Sequence, residues 1–214
     1  MKVIATNIGK PTTIHWKNKT ELTGIFKYPV LESILLRSTQ VDKDTITDRK
    51  HHGGTFKACY LFSSTHYPYW QERYPLLAWD WGMFGENITI DKMKESELII
   101  GSVYRLGNAL VQITIPREPC YKLGVRFQDQ GIIKAFVDHG HPGTYVRVLQ
   151  EGTVQKGDDF LLQDQADHGL NISDYYKMLY AREKDQELIK IAHGIDAIPQ
   201  RSKDKLSRYI KKGP

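Results

Sequence analysis

Cysteine is scarce in this sequence: only Cys59 and Cys120 occur among 214 residues. A disulfide framework is therefore excluded, and a reducing compartment, the cytoplasm, is the expectation. No run of about 18 apolar residues occurs, which excludes a transmembrane helix. The opening stretch, Met1-Lys2-Val3-Ile4-Ala5-Thr6-Asn7, has no extended apolar segment of the secretory kind. Gly-x-Ser-x-Gly, His-Glu-x-x-His and Gly-x-x-x-x-Gly-Lys-Ser/Thr are all missing, so the serine hydrolase, zincin and P-loop readings lose their main support. Internal repeats and low-complexity runs are absent too. Excess charge is modest, at a formal +5, and most of it lies late in the chain, where residues 171–214 hold ten Lys/Arg against six Asp/Glu. Such charges mostly form a solvated face, and without a recognised binding module nucleic acid is not an expected partner.

What is present suits a soluble globular protein with a real core, at 40% hydrophobic and 26% charged residues. Short strands dominate the first 168 residues. Lys2–Ile8, Thr12–Trp16, Glu21–Phe26, Val30–Arg37, Lys57–Phe62, Ile88–Ile90, Val103–Leu106, Leu110–Ile115, Thr144–Leu149 and Asp159–Leu162 read as strands between Gly-, Pro- and Asp-rich punctuation. Tyr67–Tyr74 and a segment after Asp129 read as two short helices. Many short strands with close turns predict a mainly β fold, a closed or nearly closed β-barrel over residues 1–168. From residue 169 to 214 the pattern turns helical. Ser173 is placed as N-cap of Asp174–Arg182, Gln186–Ala192 forms a second helix, and Pro199 opens a third carrying Leu206 and Ile210. This predicts a small three-helix module packed on the barrel.

One stretch concentrates the chemistry: Ile115-Pro116-Arg117-Glu118-Pro119-Cys120-Tyr121-Lys122-Leu123-Gly124-Val125-Arg126-Phe127. Two prolines stiffen a non-repetitive backbone and hold one thiol in place. Arg117, Lys122 and Arg126 flank it, and nearby cations favour the thiolate, the nucleophilic and metal-binding form of cysteine. The same cations bind phosphate. A surface loop with an inert thiol is the plainer alternative. Elsewhere, His51-His52-Gly53-Gly54 offers a backbone that a ligand can approach closely, or a tight turn before a strand. Glu86-Asn87 after Gly85 offers an acceptor and an amide, or a charged turn tip. Asp138-His139-Gly140-His141 has the spacing of metal sites, but Pro142-Gly143 behind it favours a polar loop. Cys59 sits in an apolar strand and reads as a small core hydrophobe.

These residues resemble the MOSC family, named for the C-terminal domain of molybdenum cofactor sulfurases, and most closely its stand-alone bacterial members of the YiiM type. His52-Gly53-Gly54-Thr55-Phe56-Lys57-Ala58 is similar to the family's HGG-x-x-KA segment, and Gly85-Glu86-Asn87-Ile88 to its GEN motif. Gly101–Ile115 resembles its hairpin, and Gly143–Leu149 its closing strand. Pro116-Arg117-Glu118-Pro119-Cys120-Tyr121-Lys122-Leu123 resembles its PR-x-PC-x-KL signature, the most specific of these stretches. The tail resembles the three-helix module often appended to this subgroup. Where many members carry an Asp before the motif lysine, this chain has Phe56, so a role for that Asp has no counterpart here.

The resemblance implies a β-barrel binding the molybdenum cofactor, with Cys120 as metal ligand and catalytic centre. It implies that His52, Gly53, Gly54, Lys57, Glu86, Asn87, Arg117, Lys122 and Arg126 surround the pterin and its phosphate. It further implies reduction of N-hydroxylated compounds such as hydroxylaminopurines, with electrons from a redox partner protein. Two other functions stay open: a sulfur carrier or cofactor-binding protein using a Cys120 persulfide, and an interaction module acting through the basic tail. A homodimer is compatible with either, and no membrane partner is expected.

Overall fold

A computed structural model describes residues 1–48 and 52–211 of the chain. His51 of the expected Gly-Gly turn, and residues 212–214 of the tail, lie outside the described residues. The strands are β1 (Val3–Gly9), β2 (Thr12–Trp16), β3 (Lys19–Thr23), β4 (Lys27–Val30), β5 (Ile34–Leu36), β6 (Cys59–Ser63), β7 (Ile88–Ile90), β8 (Val103–Leu106), β9 (Ala109–Pro116), β10 (Thr144–Gln150), β11 (Gly152–Val154) and β12 (Phe160–Asp164). The helices are α1 (Tyr67–Arg73), α2 (Tyr121–Phe127), α3 (Gly131–His139), α4 (Ile172–Tyr180), α5 (Gln186–Gly194) and α6 (Gln200–Ser207). Among the described residues no helix is long and apolar enough to cross a membrane.

Eight strands form one sheet in the order β12-β8-β9-β10-β6-β7-β1-β4. All its pairs are antiparallel except β6 with β7. The architecture is thus mixed α/β, a large sheet with several helices. The expected barrel closure is not made by a ladder among the described residues. Instead the outer edge of β1 is divided. β4 pairs with its C-terminal half, and residues 157–160 run beside its start through a single bridge, Lys2 to Asp159. Backbone bonds from Val3 N to Asp158 O, Gly157 N to Val3 O and Phe160 N to Met1 O, each 2.9 Å, complete that seam.

The helix α2 was not expected from the sequence. The prolines before it suggested irregular chain throughout, yet they end at Pro119, and Leu123 and Phe127, four residues apart, bury one face of a short helix. Phe127, Phe84 and Phe136 surround the fully buried Trp70 of α1 with ring centroids at 6.4, 5.9 and 6.0 Å. This aromatic knot fixes α1, α2 and α3 against the sheet. In the tail, Asn171 rather than Ser173 caps α4, its side chain accepting from Asp174 N at 2.8 Å. α6 ends before Ile210, which is half exposed. Ile172, Tyr175, Ile189 and Leu206 of the tail join the same apolar cluster as the strands.

Candidate functional site

β9 runs deep through the sheet and is pinned at its end, where Pro116 pairs with Thr144 of β10. The chain then turns through Arg117–Pro119 into α2, and Cys120 stands at the helix N-cap in an extended conformation. Its side chain is half-buried, whereas Cys59 on β6 is buried. Cys120 opens into a cleft whose walls include His52, Lys57, Asn87, Arg117 and Lys122. The chain from the end of β9 into α2, the segment from His52 through the 55–57 turn and the loop before β7, far apart in sequence, thus deliver one thiol, one imidazole, one amide and the cations of Arg117, Lys122 and Lys57 to one place.

Each cation is held by its own frame. The Arg117 guanidinium lies 5.1 Å from the Tyr60 ring centroid and donates to the Phe84 carbonyl. Lys57 Nζ lies 5.3 Å from the Tyr145 ring. Lys122 pairs with Glu21 of β3 at 3.4 Å, and Tyr121 donates its hydroxyl to the same carboxylate. Burial pushes the phenol of Tyr145 up to about 12 although Arg117 pulls it down, so it remains an O–H donor. Burial lowers the pKa of Lys57. Burial, reinforced by Arg117 and Lys57, holds His52 down to about 4, so its ring is neutral at physiological pH.

The remaining expected residues support the cleft without lining it. Gly54, at a positive φ of 87°, precedes the short turn Thr55–Lys57 that aims Lys57, whose amide donates to the Gly54 carbonyl at 2.9 Å. Gly53 lies beside it, also off the wall. Arg126 stacks on Phe26 and Tyr28 at 4.9 and 4.7 Å and donates to the Tyr28 hydroxyl at 2.8 Å, bracing the start of β4. Glu86 is fully buried, and its carboxylate accepts from Gly82 N at 2.9 Å, Phe84 N at 3.1 Å, Thr89 Oγ1 at 3.0 Å and the Tyr67 hydroxyl. It shapes the loop that presents Asn87. Phe56, in the place of the family's aspartate, offers its backbone carbonyl to Thr114 Oγ1 at 2.7 Å and its ring to Arg147.

Several cleft residues escaped sequence reasoning. Lys27 lines the wall and pairs with the buried Asp44. Asp44 also accepts from Asn87 Nδ2 at 2.9 Å and Gly9 N at 2.8 Å. Its place among Asp42-Lys43-Asp44 made it look like loop punctuation. Tyr60 and Tyr145 sit on β6 and β10, in apolar runs that signalled only core.

The MOSC domain model matches residues 48–160, more than half of the chain and every part of the thiol's surroundings apart from the β3–β4 region and the 44–47 loop. The chain belongs to the MOSC domain family. An uncharacterized protein, YflK, of Bacillus subtilis is 33% identical over 190 residues, covering 88% of this chain and 85% of that protein. A Gibberella moniliformis protein named "Reductase" is 31% identical over 141 residues, covering 64% of this chain but 25% of that protein. The crystal structure of YiiM from Geobacillus stearothermophilus superposes with a TM-score of 0.82 at 28% identity, covering 98% of this chain and 99% of that one. This is therefore a YiiM-like MOSC protein.

The neutral His52 gives this MOSC protein a measurable acid sensitivity. Unfolded His52 takes up a proton near its ordinary 6.5, whereas the folded side chain resists until about 4. The unfolded state therefore binds more protons across that window, and stability falls as pH drops through it. Denaturant titrations at pH 7 and pH 5 are expected to differ by roughly 1–2 kcal/mol from this residue. His52→Gln should shrink the difference. It should not remove it, because His139 is also held down to about 4 by burial and by its histidine neighbours. An unchanged pH slope in the variant would show that His52 titrates normally.

Proposed function

We propose that this protein binds the molybdenum cofactor in the Cys120 cleft and reduces N-hydroxylated compounds there. The single observation that carries the reading is a half-buried thiol in a cleft walled by Lys57, Arg117 and Lys122. A thiolate suits a soft metal, and clustered cations suit a phosphorylated pterin, so the donor set fits the group. Cys120 would ligate the metal. Arg117 and Lys122 would take the phosphate, while Tyr145 offers a hydrogen bond to a flat heterocycle and Asn87, its amide held by Asp44 and the Tyr60 N–H, forms part of the wall beside it. The name of the Gibberella relative supports the reductive half of the reading.

When bound, the cofactor supplies the two-electron redox chemistry. The residues of the chain position and protonate. Reduction of R–NH–OH to R–NH2 takes up two electrons and two protons and releases water. The electrons come from a redox partner protein. Lys57, with its ammonium pKa lowered by burial, is suited to give a proton to the leaving oxygen. Neutral His52 accepts a hydrogen bond from the substrate N–H or O–H. Arg117 stays charged and offsets negative charge that develops in the cleft.

Protein made in a cofactor-competent host is expected to carry about one molybdenum per chain by elemental analysis and to turn over a hydroxylaminopurine with a chemical reductant. Molybdenum-free protein carrying a persulfide at Cys120 would instead mark a sulfur carrier. Partner binding that survives loss of Cys120 would mark an interaction module.

A further inference from the structure

Away from the cleft, three histidines from two parts of the chain meet. His66 ends the short turn Ser64–His66 leading into α1, His139 closes α3, and His141 follows after Gly140, whose φ of 77° reverses the chain. One ring nitrogen of each lies within 4.8 Å of those of the other two. His66 and His141 stack at 4.0 Å, and His139 stands edge-on to them at 5.3 and 4.9 Å. None of the three lines the Cys120 cleft.

The polar bookkeeping of this cluster is incomplete. His66 Nε2 and His139 Nε2 are buried with no hydrogen-bond partner. Native structures rarely leave such atoms unsatisfied, because each costs about 1–3 kcal/mol of desolvation. Behind the rings sits Glu95, its carboxylate 1% exposed. Its Oε1 accepts from Gly143 N at 3.0 Å, while its Oε2 lies 3.2 Å from His141 Nδ1 and 3.7 Å from His66 Nε2. One buried negative charge thus adjoins two of the three rings.

We propose that His66, His139 and His141 bind a divalent metal ion of the zinc class, with Glu95 as the charge that balances it. Three imidazoles form a common zinc ligand set, and a carboxylate beside such ligands is the usual outer partner that orients them. Nitrogens bound at about 2.0–2.1 Å to one ion stand roughly 3.4 Å apart, so small ring rotations complete the triad. The ion gives His139 Nε2 the partner it lacks, and gives His66 Nε2 a bond where it now has only a long approach to Glu95. It clips the turn before α1, the end of α3 and the approach to β10 into one unit. His141 and Ser173 of α4 border the same two surface grooves, which leave the ion a route in and a fourth position for water.

The test uses the full chain after treatment with a chelator, titrated with zinc chloride. The parent and a Cys120→Ser variant are both expected to take up one zinc per chain with micromolar or tighter affinity, and to melt at a higher temperature when loaded. His139→Ala with His141→Ala should weaken that uptake at least about tenfold. Equal affinity in the double variant, or no uptake at tens of micromolar zinc, overturns the proposal. Should the double variant fail to fold, cobalt(II) chloride added to the parent decides. Four-coordinate d–d bands without thiolate charge transfer support the histidine site. A thiolate charge-transfer band that disappears in Cys120→Ser, with no d–d bands remaining, overturns it.

Discussion

Cys120→Ser is expected to abolish molybdenum-dependent reduction, while Cys59→Ser leaves it within about twofold. Serine nearly matches the volume of cysteine, so neither change opens a large cavity. A hydroxyl is far less acidic than a thiol and is a poor partner for a soft metal. The two sites differ in what the sulfur meets. Cys120 opens into the cationic cleft, whereas Cys59 is 1% exposed on β6, where burial pushes its thiol well above the ordinary range. Cys59→Ser therefore costs stability rather than chemistry, on the order of 1–3 kcal/mol for burying a hydroxyl in place of the sulfur. Bound molybdenum and turnover, measured side by side after reconstitution, separate the two. A Cys120→Ser protein that retained metal and parent-like turnover would sink the thiolate-ligand reading.

The largest effect on stability is expected from Glu86→Ala. Truncation strips the acceptor from four donors at once: two backbone amides, the Thr89 hydroxyl and the Tyr67 hydroxyl. Each is buried, and a buried donor left without a partner costs more than the bond it loses. The expected loss is about 3–5 kcal/mol, enough to lower the melting temperature by roughly ten degrees or more. Glu86→Gln keeps the shape and part of the accepting capacity, so it should cost less than half as much. The Phe84 carbonyl that receives Arg117 belongs to the same loop. Ligand affinity should therefore fall with stability in the alanine variant. Equal stabilities for parent and alanine variant by calorimetry would show that the four donors find water instead.

The site was legible in the sequence wherever chemistry and chain order coincide. Cys120, Arg117 and Lys122 lie within six residues, and Lys57 and His52 within another six, so local spacing already paired sulfur with cations. Local sequence makes Glu86 a charged turn tip, and the resemblance of Gly85-Glu86-Asn87 to the family's GEN motif makes it a ligand contact. Only the fold reveals that the loop closes over it. Asp44 and Lys27 are 17 residues apart on different elements, and a polar loop gives no sign that its carboxylate will be buried. Most strands are legible to within two or three residues because their alternation is local, but Val30–Arg37 reads as one run where β4 ends and β5 follows, and the three-residue β11 gives no signal of its own. Helix α2 was missed because Pro116 and Pro119 spoke louder than Leu123 and Phe127. Sheet closure depends on residues at opposite ends of the β region, and no local pattern encodes it.

The seam between the start of β1 and residues 157–160 also sets the order of events at the ribosome. The start of the first strand cannot satisfy its outer edge until a segment about 155 residues later has left the exit tunnel. At about 5–20 residues per second, the wait is roughly ten to thirty seconds. Throughout that interval the nascent chain carries an open strand edge, the feature most prone to pairing with a neighbouring chain. Lys2, which forms the bridge to Asp159, puts a charge on that edge. A charged residue therefore stands on that edge before its Asp159 partner has been made.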